Sequence, residues 1–198
     1  LIIDGNQSGA TGAMTINVSG TLAGSGTIGA SLLTVNGVIA PGNSPGTMTV
    51  DNLTWTDGGT YLWEINDSTG GQGVDSGWDF ISITDTFDLS GITTNFDIDI
   101  TSLTLGNAPG LADGFTGLAF DGYPDVDFSF TIATANDIVG FDASKFTLNS
   151  SAFQNGGYWE IREDTNSLVL DFYAVPEPSS TALLGLGGLA LMLRRKRS

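Results

Sequence analysis

The apolar runs between Thr15 and about Ile100 are only three to five residues long, and Gly, Asn or Ser separates each from the next. Ile16-Asn17-Val18, Gly26-Thr27-Ile28, Leu33-Thr34-Val35, Thr47-Met48-Thr49-Val50 and Asn52-Leu53-Thr54-Trp55 are examples. Such runs are too short to bury a helical face, and β-branched residues dominate them, so they predict short strands joined by tight turns. Their irregular but persistent recurrence fits a chain that turns every few residues, a parallel β-solenoid. A β-sandwich is the alternative reading. The lack of Asn-Gly pairs between long strands favours the solenoid, with Asn36-Gly37 as one hairpin-like exception. Composition agrees with a turn-rich all-β chain. Gly supplies 28 of 198 residues, about double the usual ~7 % share, and charged residues are 14 % where ~25 % is common.

Farther along, strands lengthen and alternate cleanly. Phe96-Asp97-Ile98-Asp99-Ile100 puts its apolar residues on one face and both Asp on the other. Val126, Phe128, Phe130 and Ile132 alternate with Asp127, Ser129 and Thr131, and Leu168, Leu170 and Phe172 share an inner face. The expected organisation is therefore solenoid rungs over 1–105 and a β-rich cap over 106–174 that covers an otherwise exposed terminal rung. Residues 175–198 form a separate C-terminal segment.

The chain contains neither Cys nor His. Disulfide scaffolds, Cys/His zinc sites, Cys nucleophiles and Ser-His-Asp triads are excluded within it. Residues 1–175 hold two basic and 21 acidic residues, a net charge of −19. A body of that sign repels phosphate backbones, so no nucleic-acid partner is expected. The chain begins at Leu1 without a leader, and the expectation is a C-terminal part of a longer exported protein.

The C-terminal segment has three parts in a fixed order. Pro176-Glu177-Pro178 cannot continue a strand ladder and favours extended geometry. An apolar stretch over 182–193 follows, then Arg194, Arg195, Lys196 and Arg197. Twelve helical residues reach about 18 Å at ~1.5 Å each, short of a ~30 Å hydrocarbon core, so the preceding Ser and Thr and snorkelling arginines would have to extend this short transmembrane helix. The basic cluster acts as membrane stop and sets the orientation, with the acidic body outside. These parts together resemble the PEP-CTERM sorting signal of Gram-negative bacteria. The resemblance implies an exosortase as processing partner, cleavage near Pro176-Glu177-Pro178, and inner-membrane anchoring through 182–193 before processing. It also implies a destination at the cell surface or in the exopolysaccharide matrix.

A second resemblance lies in Val38-Ile39-Ala40-Pro41-Gly42-Asn43-Ser44-Pro45-Gly46-Thr47-Met48-Thr49-Val50, which is similar to a segment of autotransporter-associated β-strand repeats. Passengers of that family are right-handed parallel β-helices. Pro41 and Pro45 block strand continuation, while Gly42 and Gly46 permit a tight turn. Asp75-Ser76-Gly77-Trp78-Asp79-Phe80-Ile81-Ser82-Ile83 resembles the rung that commonly follows.

No catalysis is expected. Parallel β-helices do carry polysaccharide lyases, but these need a base, and only Lys145 and Arg162 are available upstream of the tail. The i,i+2 pairs Asp97/Asp99 and Asp125/Asp127 have a spacing of roughly 7 Å, compatible with hydrolase carboxylates, yet such pairs arise freely in so acidic a chain. The candidate Ca²⁺ ligands are Asp67, Asp75 and Asp79, spread along a Gly-rich loop that is not an EF-hand. Trp55, Trp63, Trp78 and Trp159, with Tyr61 and Tyr158, are the aromatic candidates for glycan stacking; Tyr61, Trp63 and Ile65 share a strand face as core residues would, which leaves Trp78 and Trp159 as the stacking candidates. The expected role is an exported structural protein of the cell surface or polysaccharide matrix. A carbohydrate-binding or adhesive module is the alternative, and a Ca²⁺-dependent polysaccharide-active enzyme ranks behind both.

Overall fold

A computed structural model describes residues 1–115 and 126–175. It opens with β1 (Asn6–Gln7) and β2 (Met14–Ile16). A first full circuit follows, β3 (Thr21–Gly24), β4 (Thr27–Ile28) and β5 (Leu33–Val35). The second is β6 (Val38–Pro41), β7 (Thr47–Val50) and β8 (Leu53–Trp55). The third contains β9 (Thr60–Ile65), the short β10 (Gly71–Gln72) and β11 (Gly77–Trp78), then β12 (Phe80–Ile83) and β13 (Thr86–Asp88). The fourth is β14 (Phe96–Ser102), β15 (Phe128–Thr134) and β16 (Asp137–Val139). A 3-10 turn at Ala143–Lys145 leads into β17 (Phe146–Ala152), β18 (Tyr158–Asp164) and β19 (Ser167–Tyr173).

Three parallel ladders run through these circuits. β3, β6, β9, β14 and β17 form the first sheet, β1, β4, β7, β12 and β15 the second, and β2, β5, β8, β13 and β16 the third. Each circuit visits the sheets in the same order, an all-β architecture compatible with a β-solenoid. Parallel pairing within all three ladders leaves the sandwich alternative without support. Asn36-Gly37 is not a hairpin turn. It carries the chain from β5 to β6, and a Cβ on Gly37 would collide with the carbonyls of Asn17 and Gly20 on the circuit below.

Period-two alternation decides what lies inside. Leu22, Ile39, Tyr61 and Ile98 stack in the first sheet, and Leu33, Leu53 and Phe87 in the third, all wholly buried. Outward on the second sheet, Thr27, Thr49, Ser82 and Thr134 stand in register at strand spacing. At the junction between sheets one and three, Trp55 stacks flat on Phe96 with ring centroids 4.2 Å apart. Phe87 meets it edge-on at 4.8 Å and Tyr61 packs at 5.6 Å.

The coil continues beyond the expected boundary at 105, because β15, β16 and β17 still occupy their places in the three sheets. Among the described strands beyond that boundary the β18–β19 hairpin departs from the ladders, β19 lying antiparallel on β15 and β18 antiparallel on β19. It ends the second sheet with charged, exposed residues rather than a bare parallel edge. Within it the Arg162 Nε donates to Asp171 at 2.7 Å and Nη1 to Asp164 at 2.9 Å, which neutralises the buried Asp171. Elsewhere exposed carboxylates brace turns. Asp57 accepts from the Thr93 hydroxyl and from the amides of Thr94, Thr93 and Asn95, and these donors hold it well below the usual carboxylate range.

Candidate functional site

Much of the extra length of the later circuits enters at one place, the corner between the first and second sheets. The second circuit turns there through Gly42–Gly46, the third through residues 66–79, and the fourth between Ser102 and Phe128. Loops stacked at one corner of a rigid scaffold are where binding groups gather in many folds.

The lowest of these turns explains its own sequence. Gly42 and Ser44 have positive φ values of 84° and 99°, and a Cβ on Gly42 would meet the Gly46 amide at 2.7 Å. The turn is fastened by Asp79 from the next circuit, whose Oδ1 accepts from the Gly46 amide at 2.8 Å and Oδ2 from the Glu64 amide at 3.0 Å. Asp79 is 1 % exposed, and its own carbonyl accepts from the Trp63 indole at 2.9 Å. Burial pushes this carboxyl well above the usual carboxylate range, outweighing the two amide donors, and the nearby Glu64 adds to the rise. Glu64, half-buried, is itself raised by burial.

Above Asp79 sits a polar knot built around the buried Asn66. Its Nδ2 donates to Asp75 at 2.7 Å and to Asn107 at 2.8 Å, while its Oδ1 accepts from the Gly77 amide at 2.7 Å. Asn107 completes the ring with a 2.9 Å bond to the other Asp75 oxygen. Asn107 and Asn66 together hold Asp75 below the usual carboxylate range. Asp67 is occupied separately, accepting from the Thr69 amide and hydroxyl at 2.9 and 2.8 Å. The three aspartates expected as calcium ligands therefore serve three different local tasks. Among the described residues no three acidic groups are placed to hold a metal ion.

The tryptophan expectations also change. Trp159 is 8 % exposed and packs edge-on against Trp63 at 5.6 Å and Phe153 at 5.0 Å, so it is a core residue. Trp78 is half-buried, its indole donates to the Thr131 carbonyl at 3.0 Å, and its ring meets Phe130 edge-on at 5.0 Å. Trp159 is enclosed by core rings, and Trp78 is held by its indole hydrogen bond and by Phe130. Asp97 and Asp99 point outward from β14, where Asn95 and Asn149 donate to them at 2.6 and 3.0 Å. Asp125 lies outside the described residues.

Residues 174–197 match the PEP-CTERM protein-sorting motif. The match supports an exosortase substrate and export through that sorting route. No curated protein matches the chain. Pro176, Glu177, Pro178, the apolar stretch 182–193 and Arg194, Arg195, Lys196 and Arg197 all lie outside the described residues. Among the described residues no helix is long and apolar enough to cross a membrane.

Asn66 and Asn107 escaped the sequence reading. A sequence displays an isolated Asn as a turn former, and only the juxtaposition of two circuits, 41 positions apart, reveals a shared network. Tyr173 was equally hidden as a partner of Tyr158, because only the antiparallel register of β18 and β19 sets the two opposite each other.

Proposed function

We propose that this chain is the β-solenoid portion of an exported structural protein of a Gram-negative cell surface or exopolysaccharide matrix, delivered by exosortase processing and without catalytic activity. The observation that carries the reading is the sorting motif at 174–197, set directly behind a body of stacked parallel strands. Its mechanism is mechanical. Ladder hydrogen bonds and a continuous apolar interior make a stiff rod, and uncharged hydroxyl rows such as Thr27–Thr49–Ser82–Thr134 face the hydrated matrix. The Pro41–Gly46 turn and its Asp79 fastening support the relation to autotransporter-associated repeats, since Gly42 and Ser44 take the positive φ the turn requires and Gly46 is tied to the next circuit. Before processing, the stretch 182–193 would hold the chain in the inner membrane, with Arg194, Arg195, Lys196 and Arg197 on the cytoplasmic side.

Replacing all four of these basic residues with serine tests the reading in cells that contain an exosortase. The unmodified chain is expected in the surface and extracellular fractions, and the variant as an unprocessed species lost from them. Equal distribution of the two would remove the sorting role assigned to the tail.

A further inference from the structure

The outer face of the β18–β19 hairpin carries the aromatic surface that the core has not absorbed. Tyr158 lies opposite Tyr173 in the antiparallel register, and their rings stack with centroids 4.6 Å apart and planes 2° from parallel. Tyr158 is 43 % exposed. The Tyr173 hydroxyl donates to Glu160 Oε2 at 3.1 Å, which ties the inner ring of the pair to the next outward side chain of β18. Across the hairpin Glu160 faces Asp171, and Asp127 sits beside the end of β19, where its carboxylate accepts from the Ala174 amide at 2.6 Å. Arg162, the cation of this face, is committed to Asp164 and Asp171.

A rigid pair of parallel rings offers a flat π-face with its conformational freedom already spent, as pyranose stacking requires. Its negative quadrupole and the adjoining Glu160 carboxylate attract a cation to the same spot. The body's net charge of −19 repels uronates and sulfated sugars. We propose that this face, centred on Tyr158, Tyr173 and Glu160, binds a polysaccharide bearing unacetylated amino groups, a hexosamine polymer whose sugar ring lies on Tyr158 and whose ammonium approaches Glu160. The proposal deepens the matrix reading above and depends on it only for the protein's location, because binding is measured on purified protein.

The test titrates the full chain in mild detergent with β-1,4-linked glucosamine oligomers, with their N-acetylated counterparts and with uronate oligomers, followed by calorimetry. Binding is expected for the glucosamine series, weaker for the N-acetylated one and absent for the uronates. Tyr158→Ala should weaken it about tenfold, the scale of one lost stacking contact. Glu160→Gln, a surface change that leaves the fold intact, should remove the preference for the free amine. Asp137→Asn, on the third sheet, should have no effect. Equal binding of amine and N-acetyl ligands, an unaltered Glu160→Gln profile, or an equal loss with Asp137→Asn would overturn the site. Any of these would leave the sorting result standing.

Discussion

Trp55→Ala is expected to destabilise the body by about 3–5 kcal/mol, the range for emptying a large aromatic site in a packed core. The indole is wholly buried and joins strands of two sheets, stacked on Phe96 and edge-on to Phe87. Deleting it opens a void that Tyr61 and Phe146, packed on its other sides, are too constrained by their own strands to fill. The chemistry of the indole separates packing from polarity. Its Nε1 is buried without a hydrogen-bond partner, so Trp55→Phe keeps the stack while deleting an unsatisfied donor. That variant should cost under about 1.5 kcal/mol, the level of a tolerated shape change. Denaturant unfolding of both variants checks the contrast; equal losses would mean that the indole N–H is satisfied in the folded chain.

Asp79→Ala should have an effect of similar size for a different reason. The carboxylate accepts from the amides of Gly46 and Glu64, and each buried amide left without a partner costs about 1–3 kcal/mol, so a total of roughly 3–5 kcal/mol is expected. The damage should be local to the corner, with the Gly46 and Glu64 amides showing the largest rise in hydrogen exchange. Asp79 also gives the protein a pH signature. Burial raises its folded pKa above the unfolded value near ~3.9, so the folded chain holds this proton more tightly. Its contribution to stability is fully present below that unfolded value and declines as pH rises toward the raised one. Asp79→Asn, which cannot ionise, should remove this decline. A variant whose stability falls with pH as steeply as the parent's would show that Asp79 is not the group responsible.

The sequence displayed the repeated unit better than the assembly. Short β-branched runs closed by Gly and Asn gave strands, and alternation in Phe96–Ile100 or Leu168–Phe172 gave their buried faces, because side-chain period is local. Which strand neighbours which is not local. Parallel pairing joins residues one circuit apart, and the circuits lengthen along the chain, so no constant period marks them; β15, β16 and β17 therefore looked like a cap when they continue the coil. Asp79 looked like a calcium ligand of the Gly-rich loop for the same reason: its two amide donors lie 33 and 15 positions away. Trp78 and Trp159 looked available because composition cannot tell a ring covered by Phe130 or Phe153 from one facing water. The tail is the opposite case. Its three parts are contiguous, so the sorting motif could be read directly and matches at 174–197.

A matrix role requires that the chain be carried out of the cell and parted from its last residues. The most direct measurement is the intact mass of the protein recovered from the surface or extracellular matrix of the cells that make it. A C-terminus ending near Pro176-Glu177-Pro178, with the apolar stretch and Arg194–Arg197 gone, is the predicted result. Recovery of the body only from the cytosol, with Arg194–Arg197 and Ser198 in place, would contradict it.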